Sequence, residues 1–146
     1  MMGRPEIVFE ARRWIGTPYL HQASVQGVGT DCLGLLRGVW RNVIGQEPQA
    51  IPAYTMDWSE ACGEETMLAT ACRWLVEKPL TLAAPGDVIV FRMRQGSVAK
   101  HVGITAAAGP DASFIHAYTG HGVVESALTQ PWARRVAGRF AFPTGA

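Results

Sequence analysis

Cys32 stands in Thr30-Asp31-Cys32-Leu33-Gly34-Leu35, where a polar loop gives way to an apolar helical stripe. A sulfur in the first turn of a helix faces unpaired N–H groups and the positive end of the helix dipole, which favour thiolate over thiol. Gly34 is expected to leave space beside the sulfur for the backbone of a substrate. A small buried core thiol is the competing reading, and the local residues do not decide between them.

A nucleophilic sulfur needs a base, and the base needs a partner that orients it. The chain has four histidines, His21, His101, His116 and His121. Alternation along Lys100-His101-Val102-Gly103-Ile104 puts His101 and Gly103 on one strand face, and the small Gly103 is expected to keep that face open. His116, in Phe114-Ile115-His116-Ala117-Tyr118, lies opposite Ile115 and Ala117. If the two strands are neighbours, the His116 ring can fix the tautomer of His101. Each histidine taken singly reads as a polar residue on a solvated face. His21 and His121 lie in glycine- or proline-flanked loops and receive no catalytic role.

The other thiols, Cys62 and Cys72, sit in a helical pattern, Cys72 on its apolar stripe, and read as packing residues. Cys32 is therefore expected to react faster with iodoacetamide than either. A zinc site built from Cys32, His101 and His116 is the weaker alternative, because close-spaced ligand pairs such as Cys-x-x-Cys are missing. No metal and no cofactor is expected.

The elements that must hold these groups are legible from periodicity. Pro5 opens a first helix with Ile7, Val8, Ala11, Trp14 and Ile15 on one face, stopped by Gly16-Thr17-Pro18. Residues 20–30 read as a loop. A second helix runs from Asp31-Cys32 to Gly45, and a third from a Ser59 cap to about residue 77, closed by Pro79. Short apolar strands follow at 88–91, 101–105, 113–118, 122–126 and 136–142, punctuated by glycines. Helices first and closely spaced strands later predict one α+β domain over 1–146, with the N-terminal helices on one face of a C-terminal antiparallel β-sheet.

Composition sets the outer bounds. The 146 residues suit a single domain, and 48% hydrophobic against 17% charged residues excludes a disordered chain. A net charge of +1 gives no basic field for nucleic acid. The apolar runs are too short to insert in a membrane. The opening residues show no basic stretch followed by an apolar run, so synthesis in the cytoplasm without a signal peptide is expected. Three cysteines do not make a disulfide framework.

Five segments in this order resemble the NlpC/P60 peptidases, a papain-like group. They are Trp14-Ile15-Gly16-Thr17-Pro18-Tyr19, Asp31-Cys32-Leu33-Gly34-Leu35, Pro85-Gly86-Asp87-Val88-Ile89-Val90-Phe91, His101-Val102-Gly103-Ile104 and Ile115-His116-Ala117. The resemblance spans Trp14 to Phe142 and implies a papain-like catalytic domain that cuts peptidoglycan stem peptides. It implies that Cys32 attacks the scissile carbonyl, that His101 is the general base, and that His116 orients His101. Tyr19 would bind substrate or stabilise the oxyanion, and Asp31 would help hold the free amino end of a stem peptide. Packing for Tyr19 and helix capping for Asp31 are the alternatives. The group has serine where this chain has Leu33, which leaves its usual bond, D-glutamate to a diamino acid, as a default only. The chain also looks similar to small peptidases encoded in phage and gene-transfer-agent tail clusters. That likeness implies tail-tip or baseplate hub partners and action in the periplasm or cell wall. An amidase or acyltransferase on the same scaffold, or a non-catalytic tail component, are the other readings.

Overall fold

The structure, a computed structural model, describes residues 3–47, 66–94 and 96–143. Its elements, in chain order, are helix α1 (Pro5–Arg12), strands β1 (Ser24–Val25) and β2 (Gly29–Thr30), helix α2 (Cys32–Val39) continued by a π-helical turn (Trp40–Ile44), and helix α3 (Thr66–Trp74). They continue with strands β3 (Val76–Lys78), β4 (Val88–Arg92), β5 (Ala99–Ala107), β6 (Ser113–Tyr118) and β7 (Gly122–Ala127), helix α4 (Gln130–Ala133) and strand β8 (Val136–Ala141). Among the described residues, β3 to β8 form one antiparallel sheet in the order β3-β8-β4-β5-β6-β7. The expected α+β architecture is present.

Period-2 alternation gives the sheet two different faces. Val88, Val90, Val102, Ile104 and Ile115 point to the helices, where they pack with Ile7, Ala11, Trp14, Leu35, Val39 and Met67. Trp14 lies against Gly38 so closely that a Cβ there would come within 2.1 Å of the indole. The glycine lets α1 and α2 approach. Ile89, Phe91 and Phe114 point the other way, into a second small core closed by Trp132 of α4 and Leu128.

Asp87 ties the strands together at one end. Its carboxylate accepts from the Ala84 N–H at 2.8 Å, from Lys78 at 2.8 Å and from Arg139 at 3.1 Å. It thereby links β3, β8 and the turn before β4.

Several expectations need correction. The first helix stops at Arg12, and Ile15 is exposed. Residues 20–30 contain the β1–β2 hairpin instead of only a loop. The third helix ends at Trp74, because Val76–Lys78 pairs with β8 as an edge strand. Cys72 is exposed, so it leaves the stripe formed by Met67, Ala71 and Leu75. The Ser59 cap and Cys62 lie outside the described residues.

Candidate active site

Cys32 is the first residue of α2, and Asp31 is its N-cap. One Asp31 oxygen accepts from the Gly34 N–H at 2.7 Å, and the other accepts from the Gln22 N–H at 2.7 Å. Gln22 reaches this position in the left-handed region, at φ 63°. A hairpin is thus folded back over the start of α2, and Asp31 clamps both pieces. Capping, the bland reading of Asp31, is established here by geometry. Asp31 is also among the residues that line the cleft described below.

Gly34 does not open the site to substrate, as the sequence suggested. A Cβ there would stand 1.9 Å from the Ala23 carbonyl oxygen and 2.5 Å from Thr30 Oγ1. The space belongs to the chain's own hairpin. Gly34→Ala is expected to cost about 3 kcal/mol or more, measured as a fall in urea midpoint. An unchanged midpoint would mean that the hairpin yields freely. Gly103 needs the same correction. A Cβ there would meet Phe114 at 2.9 Å and His116 at 3.3 Å, so the glycine admits β6 and not a ligand.

The two histidines come together as expected. His101 Nε2 lies 2.7 Å from His116 Nδ1, and His116 Nε2 lies 2.9 Å from Ser126 Oγ on β7. Both rings project from the sheet face that carries Phe91 and Phe114, whereas α2 packs on the other face. They still share a cleft with Cys32 because the sheet parts there. Pairing of β5 with β6 runs from Ala107/Ser113 to Ile104/Ile115 and stops, although both strands continue. The sulfur meets the backbone N–H of Val102, the residue after His101. The resulting cleft of about 360 Å³ is lined by Tyr19, His21, Asp31, Cys32, Lys100, His101, Tyr118 and Thr119, among others. Leu33 is not among its walls. Its side chain is buried beside Met67, Val88 and Val102, in an apolar cavity behind the site.

Electrostatics reverse one expectation. Burial pushes the Cys32 thiol up to about 12, and the Asp31 charge adds to that; backbone N–H groups of Val102, Leu33 and Cys32 pull the other way without prevailing. Desolvation outweighs the helix terminus here. Burial pushes His101 down to about 3, with His116 contributing. It pushes His116 down to about 4, with His121 contributing. The resting site therefore holds a thiol and two neutral imidazoles. Tyr19 is half-buried, and burial raises its phenol above the ordinary value while a hydrogen bond with Thr119 opposes. It stays a hydroxyl donor at neutral pH.

The iodoacetamide order is corrected accordingly. The exposed Cys72 is expected to label before Cys32 at pH 7, and Cys32 labelling is expected to keep rising from pH 8 to 10. Peptide mapping after alkylation measures both. A Cys32 rate that levels off below pH 7 would mean a preformed thiolate.

Sequence reasoning missed three residues. Ser126 sits diagonal to His116, in a strand that reads only as alternation. Trp132 packs its ring 5.8 Å from His101 and 5.2 Å from His116, and helps to keep both dry. His21, set aside as a loop residue, lines the cleft with its Nδ1 3.8 Å from Asp31. His121 stacks on Tyr118 with 5.2 Å between ring centroids. Among the described residues, no group of three His, Cys, Asp or Glu side chains is placed to hold a metal ion, and no helix is long and apolar enough to cross a membrane.

Comparison with known proteins agrees with this fold. Residues 16–140 match the NlpC/P60 family. The chain is 30% identical over 134 residues to the gamma-DL-glutamyl hydrolase of Bacillus subtilis (strain 168), covering 90% of this chain and 28% of that protein. It therefore spans little more than a quarter of that relative's length. Among solved structures, it is similar to the NlpC/p60 domain of the peptidoglycan hydrolase SagA, with a TM-score of 0.61 and 26% identity over 94% of this chain and 97% of that one. It also shares the fold of a lipoprotein-like NLP/P60 protein of Staphylococcus aureus subsp. aureus Mu50, with a TM-score of 0.60 and 22% identity over 93% of this chain and 40% of that one. With the match to the family running from Gly16 through the cleft to Phe140, the chain belongs to the NlpC/P60 family.

Proposed function

We propose that this chain is a cysteine endopeptidase that hydrolyses peptidoglycan stem peptides. The observation that carries the reading is the 2.7 Å contact between His101 and His116 in a cleft that also holds a thiol at a helix start. Two relatives support the substrate class: one is named a gamma-DL-glutamyl hydrolase and the other a peptidoglycan hydrolase.

The chemistry follows from the protonation states. His101 spends Nε2 on His116, which leaves Nδ1 as its working nitrogen. Nδ1 takes the Cys32 proton while the sulfur attacks the scissile carbonyl carbon. Proton transfer and attack are coupled, since neither ion is present beforehand. The oxyanion draws on the Cys32 N–H and the Tyr19 hydroxyl. The imidazolium then gives its proton to the leaving amine, and water, deprotonated by His101, cleaves the thioester to restore the thiol. Asp31 holds the start of α2 in place, and its charge faces the amino end of the bound peptide.

The decisive experiment is digestion of purified walls with mass spectrometry of the fragments. New amino and carboxyl ends within the stem peptide are expected, and release of intact stems would favour an amidase instead. Transport by a phage-like tail, with hub proteins as partners and the cell wall as the place of action, is the further part of this proposal and rests on the sequence likeness. Its test is the presence of the chain in purified particles, and particles lacking it would remove that part alone.

A further inference from the structure

The chain of contacts from the cleft does not end at the second imidazole. Ser126 Oγ lies 2.9 Å from His116 Nε2, and the serine also lines a separate outer groove of about 540 Å³ with Asp111, Ser113, Glu125 and Thr129. We propose that Ser126 is a positioning residue whose hydroxyl oxygen accepts from His116 Nε2–H and so orders the protons along both imidazoles. The inference rests on the proposed peptidase chemistry, because it names what prepares the base for that reaction.

The argument is a count of protons. Each neutral ring carries one N–H, and the 2.7 Å contact needs one hydrogen between the rings. Only two arrangements satisfy every contact. In the first, Ser126 accepts from His116 Nε2–H, His116 Nδ1 accepts from His101 Nε2–H, and His101 Nδ1 is bare. In the second, Ser126 donates to His116 Nε2, His116 Nδ1–H donates to His101 Nε2, and His101 Nδ1 already carries the hydrogen. A base that must take the Cys32 proton works only in the first. Without the serine oxygen the first arrangement would leave a buried N–H with no acceptor, whereas the second would leave only a bare lone pair, so it is the first that the hydroxyl sustains. Burial keeps both rings neutral at pH 7, so the choice of tautomer is the variable that matters.

The test is long-range ¹H–¹⁵N NMR of the full chain labelled with ¹⁵N-histidine at pH 7, together with wall-peptide kinetics. In the unaltered protein both rings are expected to be protonated at Nε2. Ser126→Ala is expected to move the tautomer balance toward Nδ1–H by about tenfold, the bias that one neutral hydrogen bond gives an equilibrium. It should lower kcat by roughly the same factor at unchanged KM. Ser126→Thr should restore both. Nδ1 protonation in the unaltered protein, or rings that ignore the loss of the hydroxyl, would overturn the proposal. Tautomers that respond in a protein without hydrolytic activity would uphold Ser126 and remove the peptidase reading. Activity through Cys32 with unresponsive tautomers would do the reverse.

Discussion

His101→Ala is expected to lower wall-peptide hydrolysis at pH 7 by about 10⁴-fold, and Cys32→Ala to remove it. The size follows from the buried sulfur. With the thiol pushed up to about 12, roughly one Cys32 in 10⁵ is ionised at pH 7 without help. An enzyme with a preformed thiolate keeps its nucleophile when the base is removed. This one does not, so the variant must rely on that rare fraction. The residual rate of His101→Ala should then climb about tenfold per pH unit between 7 and 10, while the unaltered enzyme changes little. Initial rates on a stem peptide across that range measure both. A residual rate that stays flat with pH would mean that the sulfur is ionised already, and the coupled-transfer mechanism would be wrong. Near-UV circular dichroism of both variants separates lost chemistry from lost folding.

What could be read from the chain beforehand has a physical pattern. The sheet was legible because most of its strands are short apolar runs set close together between turn residues, as in Val88–Arg92 and Ser113–Tyr118. The pairing of His101 with His116 was legible for the same reason, since β5 and β6 are consecutive and antiparallel. Val76–Lys78 was not. Its three residues continue a helical composition, and only the ladder with Arg139–Ala141 makes them a strand. The ionisation state of Cys32 was also hidden. A helix start argues for a thiolate, and burial beneath the hairpin and against Val102 argues for a thiol. The second depends on contacts between residues 70 positions apart, which no local pattern reports. Glycines misled in one direction. At Gly34 and Gly103 a missing side chain suggested room for a ligand, and in both places the chain itself fills the room. Ser126 was invisible because its contact is diagonal across β6 and β7, not directly opposite.

Acidification from pH 7.5 to pH 5 is expected to cost the fold roughly 2 kcal/mol for each of His101 and His116. The sign follows from where protons bind. The unfolded chain takes up a proton on each ring near 6.5, whereas the folded chain holds them off until about 3 for His101 and about 4 for His116. Below 6.5 the unfolded state therefore binds more protons, and stability falls with pH. It is fully present above 6.5 and is lost progressively toward the folded values. The carboxylates that are held low by arginine partners, Glu6, Glu47 and Glu125, do not confuse this window, because their unfolded forms protonate near 4.5 and their contribution fades only below that. A combined loss of about 4 kcal/mol is large against the 5–15 kcal/mol that holds a typical domain. Urea unfolding at pH 7.5, 6.5 and 5.0 measures it, and His116→Gln should lose about half the slope because one titrating ring is gone. Equal stability at all three pH values would mean that the rings accept protons in the folded state. The site would then be wet and the thiol free to ionise, and the dry cleft on which both the mechanism and the serine relay depend would not exist.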